Sequence, residues 1–384
     1  MITRLNIGGP AIQAATLSAA MQRRGFDTLL IHGRADRDEG DIRSVLETGA
    51  FDEVQISSLR RAVAPAGDAR ALWAIYRLFR RFQPRIVHTH MAKAGALGRL
   101  AAAAYNRTSN TGAAARIVHT YHGHVFAGYF GSNYSRAIVA AERRLARFSD
   151  VLIAISPRIR DEIVVTYAIG RPEQVRVIPL GLDLARFQSL TDADRDAARI
   201  DLGLAPEQPV VTTVGRLVPI KQHWLFLDMA ARLKLSHPDS VFLVVGDGPL
   251  RSELQQRAAR LGLESAVRFL GWRADLPAIY AATDVFALTS ANEGTPVALI
   301  EAMASGLASV STDVGGVPDV IATPSCGVRI PDRQPAEMAQ AITGLLADAR
   351  KRAELGHAGR AHVLSHYSLE RLLANLDALY REIL

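Results

Sequence analysis

Cysteine is nearly absent from this 384-residue chain: Cys326 stands alone. A single thiol builds no internal disulfide, and the composition fits a reducing compartment. No stretch approaches the ~18 uninterrupted apolar residues that a membrane-spanning helix needs. The first six residues, Met1 to Asn6, show no basic region followed by an apolar one, so no secretory leader is read there and the expected location is cytoplasmic. Aromatic residues are sparse at 6%, and no basic motif is interleaved with stacking aromatics, which disfavours nucleic-acid binding. The spaced G-x-G-x-x-G fingerprint of dinucleotide oxidoreductases is missing as well.

What is present is length enough for two domains and an ordinary globular composition, 49% hydrophobic and 22% charged. The net charge of +7 is uneven. Residues 1–180 hold 25 Lys and Arg against 14 Asp and Glu, and the remainder 20 against 24, so the halves carry +11 and −4. A basic first half points to an anionic partner: nucleic acid, a membrane surface or a phosphorylated substrate.

Short Val, Ile and Leu runs at 2–7, 28–31, 86–89, 117–121, 151–155 and 175–178 lack the alternation of half-solvated strands and read as buried parallel strands. Helical patterns separate them, such as 11–24 closed by Gly25, and 68–82 with Leu72, Ile75, Tyr76 and Phe79 on one stripe. The theme repeats at 210–214, 241–245, 267–269, 285–288 and 308–312. The reading is α/β, with two doubly wound domains. A linker is expected at 179–183, dividing a first domain at 1–180 from a second domain at 181–365. The tract 366–384 is expected to pack back on the first.

The most informative segment is Glu293-Gly294-Thr295-Pro296-Val297-Ala298-Leu299-Ile300-Glu301. It follows a buried strand and enters a helix, and so lies at the carboxyl edge of the sheet, where open α/β folds bind ligands and free helix N–H groups attract phosphate. Two carboxylates beside an anion site suit hydroxyl groups, one a ribose and the other a second sugar. Spacing alone equally allows a helix-start acid and a solvated one. The segment resembles the E-x7-E motif of the retaining family 4 glycosyltransferases. Leu270-Gly271-Trp272, Asp284-Val285-Phe286, Glu301-Ala302-Met303-Ala304-Ser305-Gly306 and the turn Asp313-Val314-Gly315-Gly316-Val317-Pro318-Asp319 match the same family. The resemblance covers essentially the whole chain and is strongest over 210–320.

It implies a GT-B fold, two Rossmann-like domains facing across a cleft, and transfer of a hexose from a nucleotide diphosphate sugar to a glycan or lipid-linked hydroxyl with retention. Glu301 would bind the ribose. Glu293 with Gly294, Thr295, Pro296 and Val297 would hold the hexose and diphosphate. In Gly215-Arg216-Leu217-Val218-Pro219-Ile220-Lys221, Arg216 and Lys221 would grip the diphosphate, where two fixed cations stabilise the charge of the departing group. Gly246-Asp247-Gly248-Pro249 is a tight turn expected to line the nucleotide pocket. Gly8-Gly9-Pro10 resembles the family's N-terminal glycine loop, although family members usually have several more residues before their first strand.

Histidines cluster at 88, 90, 119, 122 and 124. His119 and His122 fall on opposite faces of an extended segment, against a shared metal. By resemblance His122 is the active-site histidine, with His124 second; His88 and His119, inside strand patterns, read as core histidines. Neither metal nor cofactor is expected beyond the donor substrate. Two basic helices, with Arg70, Arg77 and Arg81 on one and Arg136, Arg143, Arg144 and Arg147 on the other, would suit the inner leaflet of a membrane carrying a lipid-linked acceptor, or are simply solvated. Tyr129, Phe130 and Tyr134 would contact an acceptor or pack. A nucleotide-sugar epimerase and a non-catalytic sugar-binding protein remain alternatives.

Overall fold

The computed structural model describes residues 1–5, 9–34, 51–109, 114–122 and 132–384. The chain divides into two compact units, residues 1–182 with 369–384, and residues 183–368.

The first unit holds β1 (Leu29–His32), β2 (Asp52–Gln55), β3 (Ile86–His90), β4 (Arg116–Tyr121), β5 (Val151–Ala154) and β6 (Val175–Val177). All pair in parallel, as β1-β2 and as β3-β4-β5-β6. Around them lie α1 (Gly9–Arg23), α2 (Pro65–Phe82), α3 (Ala92–Thr108), α4 (Ser132–Ala146) and α5 (Pro157–Asp161). Alternate residues feed opposite faces, as strand geometry requires. Val118, Val151 and Ile153 pack with Leu17 and Met21 of α1 and with Leu372, Leu376 and Tyr380 of the chain's last helix. Ile117 packs with Ile75, Phe79 and Tyr105 on the other side.

The second unit is a six-stranded parallel sheet in the order β12-β11-β10-β7-β8-β9. Its strands are β7 (Val210–Val214), β8 (Val241–Val245), β9 (Val267–Gly271), β10 (Val285–Leu288), β11 (Ala308–Thr312) and β12 (Val328–Ile330). The helices are α6 (Ala185–Gln188), α7 (Asp192–Asp201), α8 (His223–Ser236), α9 (Arg251–Arg260), α10 (Leu276–Ala282), α11 (Val297–Ala304), α12 (Val317–Val320), α13 (Pro335–Ala347) and α14 (Ala349–Tyr367). The last helix, α15 (Leu369–Ile383), belongs to the first unit. The buried Val211, Phe242, Val244 and Val285 meet α8, α9 and α13, while Val210, Leu243 and Val245 meet α7 and α10. Asp284 pins the start of β10 to its neighbour: it takes Arg195 at 2.6 Å, Arg199 at 2.8 Å and the Val210 amide at 2.8 Å.

Three differences from the sequence reading have physical causes. The run 2–7 contributes a single bridge, Ile2 to His32, while residues 6–8 lie outside the described set. Helix α1 begins at Gly9, two residues before the expected start, because Pro10 has its φ preset for a first turn. Strand β2 escapes detection because Asp52, Glu53 and Gln55 are exposed and polar; backbone pairing to β1 defines it.

Candidate functional site

Strands β11, β10, β7 and β8 are neighbours and parallel, so the segments leaving their carboxyl ends share one sheet edge. Those segments carry Gly215 to Lys221, Gly246 to Gly248, Glu293 to Val297 and Gly315-Gly316. The chain packs them through backbone contacts that tolerate no side chain. A Cβ on Gly246, whose φ is +128°, would lie 2.1 Å from the Gly215 carbonyl oxygen, and one on Gly248 would lie 2.6 Å from that of Leu217. The Gly215 amide donates to Val245 at 2.9 Å, and the Leu217 amide to Asp247 at 3.0 Å. Turn 246–248 therefore serves as a floor for the loop carrying Arg216 and Lys221.

The same logic holds beneath the acidic motif. Gly315 sits at φ +53°, where a Cβ would fall 2.0 Å from the Glu293 carbonyl oxygen; on Gly316 it would fall 1.9 Å from that of Gly294. The Gly316 amide donates to the Glu293 carbonyl at 2.9 Å. The glycine pair is a seat for the Glu293–Gly294 peptide.

Lys221 and Glu293 meet directly, Nζ to Oε1 at 2.6 Å. Ser290 Oγ donates to the same oxygen at 2.5 Å, which leaves Oε2 of this buried carboxylate for another donor. The two loops are stitched further: Thr289 Oγ1 donates to the Lys221 carbonyl at 3.1 Å and the Ala291 amide to Ile220 at 2.8 Å. Thr312 Oγ1 reaches the Ser290 carbonyl at 2.6 Å. Arg216 is exposed on the same loop. His223, buried at the start of α8, is pushed down to about 4 by burial and then by the Lys221 charge, so it stays neutral beside the lysine.

Thr295 and Pro296 lead into α11, with Pro296 at its N-cap and Val297 its first residue. Glu301 lies one turn further along. Burial pushes its carboxyl up to about 7, against the pull of Arg186 and of the Tyr280 hydroxyl. A carboxyl poised there changes charge at neutral pH and is suited to hydroxyl partners in either form.

His122, from the first unit, directly follows β4. Its Nε2 is 2.9 Å from His90 Nδ1, and its Nδ1 is buried with no hydrogen-bond partner among the described residues. Burial holds it neutral, down at about 4. His90 in turn stacks on His88 at 4.4 Å, and His88 is fixed by Tyr380 at 2.6 Å and Thr120 at 2.7 Å. His119 donates Nδ1–H to Thr89 Oγ1 at 2.8 Å, because the Thr89 hydroxyl is itself directed at the Val118 carbonyl. His88 and His119 are thus satisfied inside the sheet, and His90 is a partner that strand spacing alone did not reveal. The register of β3 on β4, Thr89 against His119 and His90 against Thr120, is what brings it to His122.

Gly9 is the first residue of α1; Gly8, His124, Tyr129 and Phe130 lie outside the described residues, as does the side chain of Tyr134. Among the described residues, no three His, Cys, Asp or Glu side chains converge as a metal site would require.

Comparison with known proteins agrees with this topology. A profile described as Glycosyltransferase Family 4 matches residues 7–186, and one described as Glycosyl transferases group 1 matches residues 194–362. A D-inositol 3-phosphate glycosyltransferase of Jonesia denitrificans is 30% identical over 313 residues, covering 77% of this chain and 71% of that protein. The chain belongs to glycosyltransferase family 4. A UDP-Gal:alpha-D-GlcNAc-diphosphoundecaprenol alpha-1,3-galactosyltransferase of Escherichia coli is 33% identical over 264 residues, 68% of this chain and 66% of its own length. The chain spans about half of some other relatives, 54% of the Nocardia farcinica D-inositol 3-phosphate glycosyltransferase. Among solved structures, Anabaena HepE in complex with UDP superposes with a TM-score of 0.80 at 23% identity, over 99% of both chains. At that identity the likeness concerns the fold: each unit has the Rossmann-like topology of the GT-B class.

Proposed function

We propose that this protein transfers a hexose from a uridine diphosphate sugar to a hydroxyl of a glycan or lipid-linked acceptor, with retention, in building a cell-surface polysaccharide or glycolipid. The observation that carries this is the Lys221–Glu293 pair, held at 2.6 Å on a glycine-packed sheet edge. The relative acting on a UDP-Gal donor and the HepE complex with UDP support the choice of uridine.

In this reading the second unit, residues 183–368, binds the donor, and the first, 1–182 with 369–384, takes the acceptor. Breaking the bond between the anomeric carbon and the β-phosphate oxygen leaves negative charge on the diphosphate. Arg216 and Lys221 meet that charge, and the N–H groups of Thr295 and Val297 at the start of α11 add to it. A positive pair there does electrostatically what a divalent ion does elsewhere, so transfer proceeds in chelator. Gly215, Gly246, Gly248 and Gly294 let backbone approach the phosphates. Glu301 accepts from the ribose hydroxyls and Glu293 Oε2 from a hexose hydroxyl, and in the first unit the neutral His122 keeps its buried Nδ1 for a substrate hydroxyl.

The test is transfer from labelled UDP-glucose and UDP-galactose to a GlcNAc-diphospho-lipid, with the anomeric coupling of the product read by NMR. An α product from the α donor, formed equally in EDTA, is expected. A β product overturns retention. Release of free sugar with no acceptor product, or interconversion of donor epimers, overturns transfer.

A further inference from the structure

The side of the first unit's sheet that carries Ile117 and Leu152 is covered by α2, α3 and α4, α2 lying along α3 and α3 against α4. These helices hold four, three and three basic residues but only two acidic ones, Asp68 and Glu142. Both acids are engaged within the layer. Asp68 takes Lys93 at 2.6 Å, and Glu142, buried, takes Arg99 at 2.7 Å and the Tyr121 hydroxyl at 2.8 Å. What faces outward on α2 is therefore cationic. Arg70, Arg77 and Arg81 fall opposite the buried Ala71, Ile75 and Phe79, and among the described residues none of the three forms an ion pair.

In the middle of that arginine stripe stands Trp73, 61% exposed. Its ring stacks on Tyr76 at 5.5 Å and 23°, and the Tyr76 hydroxyl is tied to Thr108 Oγ1 at 2.9 Å. Val63, just ahead of the helix, is 73% exposed. A merely solvated helix face mixes charges of both signs and has no reason to show a stacked indole. Aromatic rings with a polar edge, ringed by long cations and free of carboxylates, match the chemistry of a bilayer interface: rings settle at the headgroup boundary and guanidinium groups among lipid phosphates.

We propose that this outer face of α2, centred on Trp73 and Tyr76, docks on an anionic lipid bilayer. The proposal deepens the reading of a lipid-linked acceptor and rests on it for its purpose, since a docked enzyme meets a membrane-held substrate without leaving the surface. α4, with Arg143 and Arg144 exposed, extends the same positive field.

The test is flotation of the full chain with vesicles of phosphatidylcholine alone or with about one third phosphatidylglycerol. Binding is expected to the anionic vesicles only, to weaken with salt, and to fall about a hundredfold when Arg70, Arg77 and Arg81 are all changed to Gln, each charge contributing roughly fivefold. Arg→Lys at the same three positions should bind as the parent does, which separates charge from any folding defect. Trp73→Ser should reduce binding and abolish the blue shift of tryptophan emission on vesicles. Equal binding to neutral vesicles, or undiminished binding of the Gln variant, overturns the proposal. So does a fall in sedimenting mass in Trp73→Ser, which makes the face a contact between copies. UDP-sugar affinity, measured on the same variants without vesicles, should be unchanged. Vesicle binding without nucleotide binding refutes the transferase reading and leaves the surface standing; nucleotide binding without vesicle binding does the reverse.

Discussion

Glu301 carries the sharpest pH signature. Its carboxyl is raised from 4.5 to about 7 in the folded protein, chiefly by burial. A raised carboxyl contributes nothing below its unfolded value, where it is protonated in both states. Its ionised form costs stability increasingly as pH rises from about 4.5 through about 7. Glu301→Gln should therefore melt like the parent at about pH 4 and above it at about pH 8. If the ribose hydroxyls donate to the carboxylate, donor binding at about pH 6.5 releases protons in the parent and none in the variant, as calorimetry in buffers of different ionisation enthalpy will show. Identical proton release in both removes Glu301 from the site.

His90 invites a different experiment at the same scale. Asn places a polar atom where His90 Nδ1 meets His122, and Phe does not. Transfer by His90→Phe should fall about tenfold through kcat, with His90→Asn recovering most of it. Equal losses in both, tracking thermal stability, would show a packing role only.

Among elements, the glycine seat is the testable one. Gly316→Ala puts a methyl 1.9 Å from the Gly294 carbonyl, so the Glu293 loop must shift. A cost of about 1–3 kcal/mol in stability and a marked loss of UDP-sugar affinity are expected. Unchanged affinity would mean that the loop does not touch the donor. This seat also shows how far the sequence was readable. Buried strands such as β8, with all five residues enclosed, announce themselves as apolar runs. β2 does not, because its side chains are solvated and only its backbone pairs. The E-x7-E pair and Arg216–Lys221 were legible as motifs, but their mutual contact depends on β10 lying beside β7, a long-range pairing with no local trace. Ser290, Thr289 and Thr312, which brace the pair, are ordinary residues whose role exists only in three dimensions. The same holds for Tyr280 and Arg186 around Glu301.

For the whole molecule, two units with separate cores imply that a ligand held by one stabilises that one first. A UDP-sugar at about 100 times its dissociation constant should add about 2.7 kcal/mol to unfolding. In hydrogen exchange the added protection should concentrate in β7, β8, β10 and α11. Protection confined to the first unit would place the nucleotide elsewhere. No helix among the described residues is long and apolar enough to cross a membrane.

The most direct test of the central claim is a calorimetric titration of UDP-glucose and UDP-galactose, with GDP and ADP sugars alongside, into the parent and Lys221→Ala. The account predicts that uridine donors bind and that the variant loses about ten- to a hundredfold, the range for one charge-assisted hydrogen bond, with Glu293 left buried and unpaired. Undiminished binding by Lys221→Ala, or no binding of any nucleotide sugar to the parent, would contradict it.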